Sequence, residues 1–276
     1  MSTYKQLLQT GRELLKQQGI ADADVDAWYL HAHVFQINRT DLLFKGDTDA
    51  EQLSEDRYLE LIRQRESHIP LQHITGSQEF MGMEFEVNRD VLVPRQDTEI
   101  LVEEVLKISE HRSVLDMCTG SGCIIISLAK LGNPARAVGA DLSEKALAVA
   151  EKNVQKHKVE IELIRSDLFE GITGSYDILV SNPPYIPSGE ISGLMPEVRD
   201  FEPRMALDGS EDGLLFYRRI SEAAKSHLNR NGFIFYEIGH NQGEAVKQIL
   251  QREGYTDIKI KKDLSGLDRV VSARRL

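Results

Sequence analysis

The chain has 276 residues, 41% hydrophobic and 28% charged, with a formal net charge of −11, so it is long enough for two domains. An acidic balance of this size argues against a surface that grips a nucleic-acid backbone over a broad area. The opening MSTYKQLLQTGRELL lacks the apolar core of a signal peptide, and no stretch reaches the ~20 apolar residues of a membrane span.

Residues 1–75 read as a small helical domain. Tyr4, Leu7, Leu8, Leu14 and Leu15 recur at helical spacing, as do Val25, Trp28, Tyr29, Ala32 and Phe35, and then Leu53, Tyr58, Leu61 and Ile62. Asp22 and Thr40 are the expected N-caps and Gly19 a helix stop. Residues 76–94 read as a β-hairpin linker, with Phe80, Met83, Phe85 and Val87 apolar and Gly82 near the middle. A short strand at 91–93 ends at Pro94.

Over 95–276 helices and strands alternate. Helices are expected at 98–108, 123–131, 143–157, 214–228 and 242–253, and strands at 113–117, 135–140, 161–165, 177–180, 233–238, 256–261 and 269–273. Such alternation means a mostly parallel sheet covered on both faces. Cys118 and Cys123 lie close together with no His or further Cys at metal-ligand spacing, so no metal site is expected. Both thiols are expected to be reduced in the cytoplasm.

The first strand of the alternating region runs into Asp116, Cys118, Thr119, Gly120, Ser121 and Gly122 before the next helix begins. Glycines let a ligand approach the backbone, and N–H groups at a helix start favour a carboxylate or phosphate. Asp141 ends the next strand, where an acidic side chain binds ribose hydroxyls. A dinucleotide loop counted from Gly120 wants Gly or Ala where this chain has Ile125. The other reading is the Gly-x-Gly-x-Gly loop of S-adenosylmethionine enzymes over 118, 120 and 122. Cys118 then replaces the first glycine, a mild departure provided that position needs no positive φ. After the third strand, Asp167 is placed to accept from an adenine amino group, with Leu168 and Phe169 beside the ring.

The fourth strand of this region runs into Asn182-Pro183-Pro184-Tyr185. Two prolines fix φ at consecutive positions and remove two backbone donors, so the turn is stiff and cannot extend the sheet. It holds an amide and an aromatic ring at the carboxyl edge of the sheet, where open α/β folds bind ligands. Asn182 offers a side-chain carbonyl, Pro183 a backbone carbonyl and Tyr185 a flat wall, a set suited to a planar nitrogen bearing two N–H donors.

Taken together, the chain resembles the class I S-adenosylmethionine-dependent methyltransferases. Within them it is similar to the PrmC/HemK family, which methylates a glutamine N5 atom in peptide chain release factors. Asn182 to Tyr185 carries the chemistry of exocyclic-nitrogen methylation. The segments PLQHITG at 70–76 and VPRQDTE at 93–99 carry the narrower likeness. Phe201-Glu202-Pro203 with Ala206-Leu207-Asp208-Gly209 and Asp212-Gly213-Leu214 is similar to the family's loop after the corner, and Glu237-Ile238-Gly239 with Gln242-Gly243 to its fifth-strand region. The resemblance implies a Rossmann-like α/β methyltransferase domain with a seven-stranded, mostly parallel sheet. It also implies a helical domain that helps hold the partner, and S-adenosyl-L-methionine as cofactor, bound by Asp116, the 118–122 loop, Asp141, Asp167, Leu168 and Asn182. Asn182, Pro183, Pro184 and Tyr185 would receive the acceptor, with Asn182, Pro183 and Tyr185 catalytic. The implied partners are class-1 release factors, with no direct nucleic-acid binding, no membrane, and a monomeric enzyme. A ribosomal-protein glutamine remains an alternative acceptor, because Cys118 also occurs in that related branch. An adenine-N6 methyltransferase shares the corner chemistry but would need a basic, base-flipping groove. A non-enzymatic binding protein on the same scaffold is disfavoured by the complete corner, and a dehydrogenase by Ile125.

His73 reads as structural and His240 as a loop border. Arg95 and Glu99 could line the cofactor pocket or pair across one helical turn. Glu202 is a candidate for the acceptor channel, and Lys259, Lys261 and Lys262 read as a charged edge strand.

Overall fold

The computed structural model describes residues 2–276. Contacts divide the chain into two compact units. One runs to Gly76 and includes Met195–Phe201; the other is Ser77–Leu194 with Glu202–Leu276.

The first unit packs α1 (Tyr4–Gln17), α2 (Ala23–Phe35) and α4 (Gln52–Glu66), with short helices α3 (Arg39–Lys45) and α5 (Leu71–Thr75). Thr3 and Gln6 close a capping box at the start of α1, and Leu7, Leu8 and Leu15 form its buried face. Asp22 stands at the N-cap of α2 but makes no side-chain cap bond. Asn38 caps α3, where Thr40 was expected: its side-chain oxygen accepts from the N–H groups of Thr40 (2.8 Å) and Asp41 (2.9 Å). Thr40 therefore lies inside the first turn, where its own N–H is one of those needing a partner. Tyr58 of α4 is fully buried and donates to the Ala27 carbonyl at 3.2 Å. Near the end of α4, the buried Arg65 bonds Asp26 at 2.7 Å and Glu197 at 2.9 Å.

The second unit begins with the antiparallel hairpin β1 (Ser77–Phe80) and β2 (Met83–Glu86). Phe80 and Phe85 bury against Leu101, Val114 and Ile124, so the hairpin packs into the core of this unit. No strand forms at 91–93. The Val91 N–H closes a turn onto the Asn88 carbonyl, and the Val93 N–H goes to the Glu202 carboxylate. Without a ladder partner, an apolar triplet alone cannot make a strand.

After α6 (Gln96–Leu106) come β3 (Ser113–Met117), α7 (Cys123–Gly132), β4 (Arg136–Asp141), α8 (Glu144–His157), β5 (Glu162–Arg165) and β6 (Tyr176–Ser181). The chain then passes through α9 (Pro196–Arg199) and α10 (Arg204–Leu207). It ends in α11 (Leu215–Ala224), β7 (Leu228–Glu237), α12 (Gly243–Arg252), β8 (Thr256–Lys262) and β9 (Asp268–Arg274). Helix α11 is shorter than expected, because Leu228 already pairs with Tyr176 as the start of β7. The seven strands lie in the order β5-β4-β3-β6-β7-β9-β8, all parallel except β9, which runs antiparallel to both neighbours. The α/β fold with a mostly parallel seven-stranded sheet is therefore as the sequence predicted.

Central strands β3 and β6 are neighbours, and from them the order runs outward in opposite directions. Their carboxyl ends thus border the crevice where open α/β sheets bind ligands. Burial on both sheet faces explains why Val114 and Leu115 of β3, and Ile178, Leu179 and Val180 of β6, are consecutive apolar residues that are all buried. Lys259, Lys261 and Lys262 are exposed on β8, at the edge of the sheet. Among the described residues, no helix is long and apolar enough to cross a membrane.

Candidate active site

The loop leaving β3 takes left-handed backbone at alternate positions: φ is 64° at Cys118, 58° at Gly120 and 80° at Gly122. This is the physical content of the Gly-x-Gly-x-Gly pattern. The condition attached to Cys118 is not met, since its position does have positive φ, and a side chain there carries backbone strain. At Gly122 an added Cβ would also stand 3.0 Å from Ile126 Cδ1 and 3.3 Å from Ala150 Cβ.

Three side chains hold this loop. Asp116 accepts from the Thr119 hydroxyl at 2.6 Å, and its other oxygen is buried without a partner. Burial pushes the Asp116 carboxyl up to about 7. Asp141 accepts the Gly120 N–H with one oxygen and the Ser143 N–H with the other, both at 2.9 Å. Burial still raises its carboxyl above the ordinary value, against the pull of these N–H groups. The Asn153 amide donates to the Ser121 and Glu86 carbonyls, tying the loop to the hairpin.

Between the ends of β3, β4, β5 and β6 lies a cavity of about 250 Å³. Its wall brings together Cys118, Thr119, Gly120, Ser121, Asp141, Asp167, Leu168, Asn182 and Pro184. Of the other expected residues, Asp116, Gly122 and Pro183 are not on this wall, and Tyr185 lies on a second cavity of about 370 Å³ beside His240 and Gln242. Asp167 also pairs with Arg219 at 3.0 Å. Phe169 does not reach the cavity: it is buried and stacks on His227, with ring centroids 4.7 Å apart.

Arg95 lines the cavity, but its partner is Glu202, 2.7 Å to each carboxylate oxygen, and not Glu99. Glu99 instead accepts the Met81 N–H. Glu202 is buried and accepts Arg95 and the Val93 N–H, so it clamps the loop after the corner.

The Asn182 to Tyr185 corner is held by more than its prolines. An Asn182 amide N–H points to the Thr98 hydroxyl at 3.4 Å, which leaves the side-chain carbonyl as the group presented elsewhere. The Tyr185 hydroxyl meets the Glu237 carboxylate at 3.3 Å. The Gln242 amide donates to the Tyr185 carbonyl at 2.9 Å and to the Gly213 carbonyl at 3.3 Å. Thr98, Glu237 and Gln242 were not singled out from the sequence as site residues. The available signals were a carboxylate closing an apolar strand, at Glu237, and the likeness of the segments that hold all three.

Gly213 packs directly on the corner. Its φ is 71°, and a Cβ there would lie 2.3 Å from the Tyr185 carbonyl oxygen and 2.7 Å from Gln242 Nε2. Gly213→Ala is therefore expected to displace the corner and lower the single-turnover rate of any reaction aligned there by roughly 10- to 100-fold, since a misplacement of about 1 Å can cost that much. Affinity for a ligand in the cavity beside the glycine loop, measured by calorimetry, should stay within about threefold, because Gly213 is not on that cavity's wall.

Comparison with known proteins bears on this site. Residues 6–76 match the family model described as PrmC N-terminal domain, and residues 95–194 the one described as Methyltransferase small domain. A Geobacter sulfurreducens protein named release factor glutamine methyltransferase is 40% identical over 276 residues, covering 99% of this chain and 96% of its own. A protein of the same name from Clostridium acetobutylicum is 40% identical over 258 residues, covering 91% and 90%. Among solved structures, a methyltransferase from Pyrococcus furiosus superposes with a TM-score of 0.55 at 18% identity, over 71% of this chain and 90% of its own. The T. thermophilus 16S rRNA N2 G1207 methyltransferase, solved with AdoMet and guanosine, gives 0.53 at 18% identity, over 72% and 50%. At these identities the likeness speaks to the fold alone.

Proposed function

The chain belongs to the family of release factor glutamine methyltransferases, and on that premise we propose that it methylates the glutamine side-chain amide in the Gly-Gly-Gln motif of class-1 release factors, using S-adenosylmethionine. The observation that carries this reading is a single juxtaposition. An asparagine with its amide N–H turned toward Thr98 shares one cavity with the glycine loop and Asp141.

The wall residues fit the cofactor. Each Asp141 oxygen keeps lone-pair capacity beyond its one backbone N–H, so the carboxylate would be free to accept ribose hydroxyls. A Cβ at Gly120 would meet nothing within 4 Å, so bare backbone is open to a ligand there. Asp167 and Leu168 line the same cavity and would hold the adenine, Asp167 by accepting from its amino group and Leu168 by packing against the ring. When bound, the cofactor supplies an electrophilic methyl group on a sulfonium sulfur.

The rest is placement. An amide nitrogen is a poor nucleophile because its lone pair is delocalised into the carbonyl. The Asn182 side-chain oxygen and the Pro183 backbone carbonyl accept its two N–H bonds, aim the nitrogen into the cavity and support the positive charge that develops as it attacks. Tyr185 packs beside the amide and keeps water out. No strong base is required, because the nitrogen becomes acidic only as it is alkylated.

This activity belongs to the cytoplasm, where release factors act. The experiment is the mass of the Gly-Gly-Gln peptide from purified release factor after incubation with enzyme and cofactor. A gain of one methyl on the glutamine is the expected result. Label appearing instead in ribosomal protein or DNA, in parallel reactions, overturns the assignment.

A further inference from the structure

Two prolines lock φ at Pro183 and Pro184 but leave ψ free. The direction of the Pro183 carbonyl, one of the two acceptors assigned to the substrate amide, therefore depends on how both ends of the corner are held. At the entry, Ser181 is paired in the sheet with Met117 and Tyr236, and its hydroxyl donates to the Met117 carbonyl at 2.6 Å. At the exit stands Gln242, buried just before α12 begins. Its amide nitrogen donates to the Tyr185 carbonyl at 2.9 Å and the Gly213 carbonyl at 3.3 Å, and its oxygen accepts the Gly239 N–H at 3.0 Å. All three partners are backbone groups of fixed polarity, so they settle which end of the amide is nitrogen. The backbone around it leaves room for this one group. A Cβ on Gly213 would lie 2.7 Å from Gln242 Nε2, and one on Gly239 would lie 3.0 Å from its Oε1. A Cβ on Gly209 would lie 2.8 Å from the Tyr185 Cα and carbonyl carbon.

We propose that Gln242 is a positioning residue: its amide pins the exit of the corner and thereby aims the Pro183 carbonyl at the acceptor nitrogen. A side-chain amide carries two N–H donors and a carbonyl. Here both donors are spent on the corner and on the loop at Gly213, and the carbonyl on the chain leaving β7, so three segments are locked at one point. With the turn held from both ends, its carbonyls cannot swing as the nitrogen takes on charge, which is what a pre-fixed acceptor requires. Gln242 lies on the wall of the second cavity and not of the first, so it acts without touching the cofactor. The inference rests on the reading of Asn182 and Pro183 as the groups that hold the amide.

The test compares Gln242→Met, Gln242→Glu and Asn182→Ala by single-turnover methylation of release factor, titrated to saturation, with cofactor affinity measured on each. Methionine has the length of glutamine but no donor. Gln242→Met should lower the saturating rate roughly 10- to 100-fold, the cost of a misplacement of about 1 Å, with cofactor affinity within about threefold. The concentration giving half the maximal rate should hardly change. Gln242→Glu supplies the rescue. Its carboxyl, buried against carbonyls, titrates above the ordinary range, and once protonated it donates to the Tyr185 carbonyl again. At about pH 6 this variant should run roughly fivefold faster than Gln242→Met, the scale of one hydrogen bond. Its deficit against wild type at the same pH should grow toward about pH 8, as the donor is lost. Three results overturn the inference: Gln242→Met matching wild type at saturation, Gln242→Glu no faster than Gln242→Met at about pH 6, or a loss confined to the half-maximal concentration. Should Gln242→Glu not fold, the methionine variant decides. If Asn182→Ala is itself fast, the reading of the corner fails first; if it is slow while Gln242→Met is fast, only this inference is lost.

Discussion

Asn182→Ala is expected to lower turnover by roughly 10²–10³ while leaving cofactor affinity within about threefold, the loss typical of one pre-fixed group at a site of developing charge. The substitution removes the side-chain acceptor and leaves the Pro183 carbonyl to hold the amide alone. Backbone order should survive, because the corner keeps its two prolines, the Gln242 bond to the Tyr185 carbonyl and the Tyr185 bond to Glu237. The glycine loop, Asp141 and Asp167 are unchanged, which is why the effect should fall on the rate and not on cofactor binding. Single-turnover transfer of labelled methyl to release factor, beside calorimetric titration of cofactor, measures both. A variant turning over at a near-normal rate would remove Asn182 from the mechanism.

The largest expected effect on stability lies in the helical unit. Arg65→Met should destabilise that unit by about 3–5 kcal/mol, because it strands Asp26 as a buried carboxylate beside Glu197. Burial holds the Asp26 carboxyl above its ordinary 3.8, and the Arg65 hydrogen bond and charge pull the other way. Without Arg65 that carboxyl rises further. A group with a higher folded than unfolded pKa binds more protons in the folded state, so its contribution to stability is lost as pH rises above 3.8. Glu197 is held low by its backbone N–H, the His68 hydrogen bond and Arg65, which together outweigh burial, and it loses the Arg65 guanidinium. Both effects make the cost of the substitution greater at neutral pH than in mild acid. Trp28, the one tryptophan of the chain, sits on α2 two positions from Asp26 and reports unfolding of this unit. Urea titrations followed by its fluorescence at several pH values give the result. A cost that is flat with pH, or that grows toward acid, would show that Asp26 and Glu197 do not depend on Arg65.

Much of the site was readable in the chain, for local reasons. Asp116, Asp141, Asp167 and Asn182 each close or follow an apolar run that reads as a strand, and parallel strands bring successive strand ends to one edge. The glycine loop was legible because alternate left-handed backbone calls for residues without a Cβ. The same logic fails at Cys118, where the fold imposes positive φ on a side chain. Phe169 was misplaced because its neighbour Leu168 turns through φ 48°, and nothing in an Asp-Leu-Phe triplet says which of the two hydrophobes meets the cavity. The 91–93 triplet was misread as a strand because its N–H groups find a turn carbonyl and a distant carboxylate.

By itself, then, the amino-acid order determined the α/β layering, the glycine loop and the stiff corner, since periodicity and turn chemistry act over a few neighbouring residues. Only the tertiary structure decided which way that corner faces and what steadies it. Asn182 meets Thr98 across 84 positions, Arg95 meets Glu202 across 107, and Arg65 meets Glu197 across 132. Partners so far apart in the chain carry no local signature, because their pairing is a product of packing.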